Sequence, residues 1–344
     1  MIGRTLLVTK STIMRNSILI LIAVLGLQSI VGQKQLEDYK KVLPKTLERS
    51  INFDITKGYA IQKVKPNIYV LTDGIWQSVA VVTTQGVVLI DSPESFGAKI
   101  QEAVKSVSNQ PITTLIYSHG HSDHIGGSQH LSNIKNLEII SLTGTEAFLR
   151  EQNDPRRLIP NKTFEGAFIL KKGNTRIHLN NHMNHHSPEG DLFISIPEQQ
   201  FLMVIDVLAP DYVPFKNLDL SNNIHEYLQV FDQILAYDFD VFVGGHLTSL
   251  GTRKDVEITK AYVDDVHSTV TRIHQNTNAM AVMSAAAEKV GWDNKYLLFK
   301  VFLDKVIDDS YAEIELRWIN KLAGVDVWGR SHVSTMLNYV RWDD

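Results

Sequence analysis

Short β-branched runs separated by glycine-containing turns fill the middle of the chain, and helical periodicity fills its tail. The runs "IYVLT" (68–72), "SVAVVTT" (78–84) and "VVLID" (87–91) read as strands. Residues 96–107 have the spacing of an amphipathic helix, and "ITTLIYS" (112–118) is apolar enough for a strand buried on both faces. The alternation continues with a strand over 137–142, a helix over 144–153 and a hairpin over 163–181 turning at "KGN". "DLFISI" (191–196) and "FLMVID" (201–206) follow, then a helix over 224–236 and the strand "DVFVGG" (240–245). From Arg253 the pattern is helical to about residue 322. Residues 33–58 are polar and lysine-rich, an arm or helix lying over the domain.

The N-terminus adds a processing signal. Arg4, Lys10 and Arg15 precede the continuous apolar stretch 18–27, and the small residues Ser29 and Gly32 follow it. That order fits a secretory signal peptide cleaved near Gly32, and the stretch is short for a membrane span. The expected organisation is a signal peptide (1–32), an N-terminal arm (33–58), a main domain (59–265) and a C-terminal helical extension (266–344), in a periplasmic or secreted protein with no stable membrane insertion after cleavage.

Composition narrows the chemistry. The formal charge of −4 and the absence of a basic stretch argue against nucleic-acid binding. The chain has no cysteine, so thiolate nucleophiles and sulfur-ligated metals are excluded, and any metal must take His and carboxylate ligands.

"SHGHSDHIGG" (118–127) places His119, His121, Asp123 and His124 in one loop of a chain with 13 histidines. A packed interior would have to satisfy every ring nitrogen, whereas a bound cation explains the run directly. Further ligand-type residues stand at strand ends: His186 in "NHHSPEGD", Asp206 closing "FLMVID" and His246 closing "DVFVGGH". His119 and His121 can share a direction from extended backbone, but Asp123 and His124 lie past a bend. Two neighbouring ions resolve that geometry, with Asp206 as a bridging carboxylate. His182 and His185 compete with His186, while His130, His225, His267, His274 and His332 read as packed or solvated.

The ordered set H-x-H-x-D-H, "HSPEGD", a strand-end aspartate and "GGH" resembles the metallo-β-lactamase superfamily from about residue 68 to about residue 265. The resemblance implies an α+β, four-layer αββα sandwich with a C-terminal helical extension. It assigns His119, His121 and His186 to one ion and Asp123, His124 and His246 to another, bridged by Asp206, with Asp91 supporting the histidine loop. The best-known zinc β-lactamases carry cysteine or serine at the Asp206 position. The bridging aspartate resembles the glyoxalase II-like thioesterases, lactonases and phosphodiesterases.

The expectation is an exported hydrolase with two Zn²⁺ per chain, cleaving a small ester, lactone, thioester or amide with a hydroxide shared by the ions. Asp123 would orient the nucleophile and accept a proton. The alternatives are a true β-lactamase and an iron-dependent oxidoreductase of the same fold, since the donor set also suits iron or manganese. Trp76, where the resemblance implies a flexible flap, Tyr212 and Lys216 are candidates for substrate binding, and the apolar tail suits core or a homodimer surface.

Overall fold

The computed structural model describes residues 36–343. The proposed signal segment lies outside them. Residues from Lys41 onward form one compact unit, and within the short unit before it Leu36–Asp38 make a single 3₁₀ turn.

Helix α1 (Pro44–Arg49) leads into strands β1 (Ala60–Lys65), β2 (Ile68–Thr72), β3 (Gln77–Thr83) and β4 (Gly86–Ile90), an antiparallel meander. Helix α2 (Gly97–Val107) crosses over to β5 (Ile112–Ile116), which runs parallel to β4. The short helix α3 (Ser122–Ile125), β6 (Glu138–Leu142), helix α4 (Thr143–Gln152) and β7 (Lys162–Phe164) complete a seven-stranded sheet in the order β1 to β7. The second sheet has five strands in the order β12-β11-β10-β9-β8. They are β8 (Ala167–Lys172), β9 (Thr175–Asn180), β10 (Phe193–Ile196), β11 (Phe201–Val204) and β12 (Val241–Val243). Helix α5 (Ile224–Leu235) lies between β11 and β12, and α6 (Arg253–Asn276), α7 (Ala279–Val290), α8 (Lys295–Trp318) and α9 (Val325–Trp342) follow.

Three apolar clusters make this a four-layer αββα sandwich. Val79, Val81, Val88, Ile90 and Ile116 of the first sheet meet Ile177, Leu179, Ile194 and Met203 of the second. The other face of the first sheet, through Leu89 and Leu115, packs on Ile100 and Val104 of α2. The other face of the second, through Phe193, Leu202 and Val204, packs on Phe231, Val263 and Val333 of the helices. Sheets covered on both faces need strands that are apolar throughout, which is why every residue of β4 is buried. Each fully buried Val, Leu, Ile or Phe contributes about 1.5–3 kcal/mol.

The structure differs from the pattern reading in three places. The first sheet begins with β1, eight residues before the first run read as a strand; its edge position buries only part of one face, so its lysines hide the alternation. The expected hairpin divides, because β7 pairs in parallel with β6 in the first sheet while β8 and β9 form the hairpin of the second. The boundary drawn at 265/266 falls inside the continuous helix α6. The arm over the domain includes α1, where Arg49 Nη1 reaches Asp211 Oδ2 at 2.9 Å and Asp255 Oδ1 at 2.7 Å.

The loops at one end of the sandwich are stitched together. Asp91 N donates to Ile116 O at 2.9 Å, Leu192 N to Ser118 O at 3.0 Å and Gln77 N to Gly245 O at 2.8 Å. Gly127 lets the histidine loop lie on the start of α2: a Cβ there would stand 2.3 Å from the Pro93 carbonyl oxygen and 2.7 Å from Gly97 Cα. No described helix is long and apolar enough to cross a membrane.

Candidate metal centre

The loop leaving β5 is set by a buried aspartate. Asp91 Oδ1 accepts the Ser118 N–H at 2.8 Å, and Ser118 Oγ lies 3.0 Å from His119 Nδ1. The chain bends over residues 118–120, is extended at His121 (φ −73°, ψ 145°) and then coils into α3. His119 therefore projects from a bend and His121 from extended backbone, while Asp123 and His124 project from a helical turn. The start of α3 at Ser122 divides the four residues into the expected pairs, although the bend at 118–120 replaces the extended segment expected at His119.

The distant ligand types converge on this loop. His119, His121, His186 and Asp206 offer donor atoms that lie within 4.8 Å of one another, and Asp123, His124 and His246 form a second such group. Asp206 faces both. Its Oδ2 is 3.2 Å from His186 Nε2 and 3.4 Å from His119 Nε2, while Oδ1 is 2.8 Å from His246 Nε2 and 3.4 Å from His124 Nε2. Asp206 sits at φ +58°, a left-handed conformation that aspartate tolerates better than most residues.

The donors suit cations. Across the first group His121 Nδ1 and His186 Nε2 are 3.0 Å apart, and across the second His124 Nε2 and His246 Nε2 are 3.1 Å apart. Donors bonded at about 2.1 Å to one tetrahedral ion are separated by roughly 3.4 Å, close to these values. Buried His119 Nε2 has no hydrogen-bond partner among the described residues, which fits a lone pair reserved for a cation.

Electrostatics prepare the same set. Burial drives His119 well below the ordinary histidine range, outweighing the nearby Asp206 charge, so its ring is neutral. Burial, with His186 alongside, lowers His121 as well. For Asp206 burial favours the protonated acid, but His124, His186 and His246 outweigh it and hold the carboxyl well below its usual range. Burial likewise opposes charge on His124, and Asp206 overrides it to bring the ring to about 9, so a cation beside His124 displaces a proton. Neutral His119 and His121 beside ionised Asp206 make a nitrogen-and-oxygen donor set for divalent metal.

Neighbouring residues fix the ligands. Asp191, within the sequence motif but given no role there, accepts from His186 N at 2.8 Å and Ser187 N at 3.0 Å. Asn222 Nδ2 donates to His186 O at 2.6 Å, and Ser221 Oγ donates to His185 O. Arg157 Nη1 donates to Gly120 O at 2.7 Å, between the first two histidines. Neither rival of His186 joins the cluster: His185 Nε2 lies 3.3 Å from Ile205 O, and His182 Nε2 lies 2.7 Å from Tyr237 Oη.

Three substrate candidates fall in different surroundings. Trp76 donates its indole N–H to Asp123 Oδ2 at 3.3 Å. Tyr212 is half-buried, paired through its backbone with Ala323, and Lys216 is exposed. Neither makes a hydrogen bond or ion pair with the cluster among the described residues. After Lys216 the chain makes a left-handed turn, with φ between +53° and +59° at Asn217, Leu218, Asp219 and Leu220. No glycine announces it. The turn buries Asp219, whose Oδ1 accepts from Phe215 N at 3.0 Å, and burial raises this carboxyl to about 6.

Comparison with known proteins agrees with the geometry. The family model of the metallo-beta-lactamase superfamily matches residues 72–246, just over half of the chain. A curated relative, 2,4-dinitroanisole O-demethylase subunit alpha of Nocardioides sp. (strain JS1661), is 24% identical over 198 residues, 56% of this chain and 59% of that protein. The chain thus spans about three fifths of that relative's length. A metallo-beta-lactamase from Pontibacter korlensis superposes with a TM-score of 0.52 at 17% identity, covering 59% of this chain and 97% of that one. One from Hirschia baltica gives 0.50 at 16% identity, with 59% and 96% covered. At such identities the solved structures establish the fold alone.

Proposed function

Because the chain belongs to the metallo-beta-lactamase superfamily, we propose that it is an exported metal-dependent hydrolase, acting through a pair of Zn²⁺ ions on a small ester, lactone, thioester or amide. One observation carries this reading: the Asp206 carboxylate turns one oxygen to each of two histidine groups. His119, His121 and His186 would hold one cation, Asp123, His124 and His246 the other, and Asp206 both.

Bound there, the cations supply a water of lowered pKa, near 7, and a Lewis acid for the developing oxyanion. The protein's own residues do the rest. Neutral His119 and His121 present lone pairs without a proton to expel. Ionised Asp206 offsets positive charge inside a buried site. Asp123, with its side chain 43% exposed, reaches solvent and can orient the nucleophile and accept its proton. His246 is also partly open, at 30%, so the substrate enters on the side of the second group. Export rests on the N-terminal segment alone, and intact-mass analysis of the secreted protein tests it.

The decisive experiment is zinc reconstitution of metal-stripped protein against chromogenic esters, lactones, phosphodiesters and β-lactams. Restored turnover of a carbonyl substrate supports the proposal, and full activity without metal overturns it. Preference for β-lactams would favour the antibiotic-hydrolase alternative. A second reading draws on the relative named as an O-demethylase subunit: the same donors would hold iron in an enzyme cleaving an aryl methyl ether. Iron in the isolated protein, with turnover of 2,4-dinitroanisole, would favour it.

A further inference from the structure

The two carboxylates of the cluster differ in exposure. The Asp123 side chain is 43% exposed, whereas that of Asp206 is 7% exposed. A solvated aspartate on a short helix has several rotamers open to it, and binding a cation would require selecting one. Among the described residues, a single protein group donates a hydrogen bond to the Asp123 carboxylate: the Trp76 indole, whose Nε1 is 3.3 Å from Oδ2. That oxygen is also 3.5 Å from His124 Nε2, so the indole meets the carboxylate on the side where it faces its companion ligand.

Trp76 is itself fixed. Asp73 Oδ1 accepts its backbone N–H at 2.9 Å. Its strand edge forms an antiparallel bridge to His246, with Gln77 N on Gly245 O at 2.8 Å and Leu247 N on Ile75 O at 2.5 Å. The Gln77 side chain closes the same seam, with Oε1 accepting from Gly245 N at 3.1 Å. The indole lies 6.3 Å, centroid to centroid, from the His246 ring and packs partly into the outer core of the first sheet. One side chain therefore contacts Asp123 through its N–H and lies beside His246, while its backbone is anchored to the loop carrying His246. A mobile flap would not be tied in this way.

We propose that Trp76 is a positioning residue for the second cation, holding the Asp123 carboxylate in its ligating orientation through the indole N–H. The proposal rests on the two-cation reading above and adds an asymmetry to it. The first group shows no such device: His119, His186 and Asp206 are buried, and the half-buried His121 ring rests edge-on against His119 and His186. Hydrogen-bond partners that orient metal ligands commonly account for 10–100-fold in affinity. Loss of the indole N–H should therefore weaken the second site by roughly tenfold or more, the lower end of that range, and leave the first unchanged.

The test is stepwise Zn²⁺ titration of metal-stripped full-length wild type and Trp76→Phe against a chromophoric chelator, which reads each site without turnover. Phenylalanine keeps an aromatic ring and removes the donor. The expected result is a selective fall in affinity for the second equivalent, and a selective change in the absorption spectrum when Co²⁺ replaces Zn²⁺ there. Equal affinities in the two proteins would overturn the proposal, as would an equal loss at both sites, which marks a merely structural wall. If wild type binds no second equivalent, the two-cation reading itself fails, a separate outcome. Wild type also supplies a check free of substitution. Of the five indole N–H resonances, one should move with the second equivalent of Zn²⁺ rather than the first, and no movement at that step counts against the proposal.

Discussion

Asp206 Oδ1 stands 2.8 Å from His246 Nε2, although the two residues close different strand ends. The contact depends on β11 and β12 lying side by side in parallel, with Leu202 opposite Phe242 and Met203 opposite Val243. Both chains emerge at the same edge of the sheet, which is where open α/β sheets gather their sites. With Oδ2 turned to His186, one carboxylate joins two groups of donors that arise from four loops.

Asp206→Asn should therefore disable both groups together. The amide has nearly the same shape, lacks the charge, and offers one oxygen where the carboxylate offers two. Metal content by elemental analysis should fall from two per chain to one or fewer, and hydrolytic activity by about 100-fold or more, as expected when a bridging ligand is lost. An unchanged circular dichroism spectrum would show that folding is intact. Two tightly held ions in the variant would exclude the bridging role.

Removing metal should also lower thermal stability. A cation that binds only the folded chain stabilises it by about 4 kcal/mol when free metal is 1,000 times its dissociation constant. For a chain of this size that corresponds to several degrees in the unfolding midpoint. Calorimetry with and without chelator should show this drop in wild type, and a much smaller one in His119→Ala, whose ligand set is already broken. Equal drops in the two proteins would mean that the stabilising ion sits elsewhere.

The four-layer sandwich came from the family resemblance, whereas sequence patterning captured the central strands because they are apolar on both faces and end in punctuating glycines and aspartates. Strand β4 and the histidine loop were legible for that reason. Strand β1 was not, since an edge strand interrupted by Lys63 and Lys65 buries only Ala60 and shows no clean alternation. The three-residue β7 is too short for any period to register. Among site residues, the seven ligand-type side chains could be read from chemistry and order. Asp191 lay in the quoted motif, but its part emerges only from backbone contacts. Asp219 had no local signal at all. Its left-handed turn is imposed from outside, by Asn217 N on Ser331 Oγ at 3.0 Å, His332 Nε2 on Phe215 O at 2.9 Å and the burial of Leu218 among the helices.

The Asp191 contacts give a prediction about the His186 loop. This buried carboxylate accepts backbone N–H groups of His186 and Ser187, and Asp191→Ala leaves those donors without a partner. Each buried donor left unsatisfied costs about 1–3 kcal/mol. Denaturant unfolding should show a loss in that range or somewhat above it. Affinity for the first equivalent of metal should fall about 10–100-fold, the usual consequence of releasing a ligand's support. Wild-type affinity in the variant would place the control of His186 in Asn222 and Ser221 instead.

The most testable pH dependence comes from outside the cluster. His332 on α9 is fully buried, its Nδ1 2.7 Å from Tyr262 Oη and its Nε2 2.9 Å from Phe215 O. Burial lowers its pKa from 6.5 to about 4, against the opposing effect of the Phe215 and Pro214 carbonyls. Above pH 6.5 the ring is neutral in folded and unfolded chains alike, and its contribution is constant. As the pH falls below 6.5 the unfolded chain takes up a proton that the folded chain refuses, so stability declines, and the decline ends near pH 4, where the folded form protonates too. The whole effect is about 3 kcal/mol, of which about 2 kcal/mol is already lost at pH 5. His332→Gln cannot titrate, yet it retains a donor and an acceptor. Urea unfolding at pH 7.5 and pH 5 should therefore show the stability gap between wild type and variant narrowing by about 2 kcal/mol at the lower pH. A gap that stays constant would mean the His332 ring takes up its proton equally well in the folded chain.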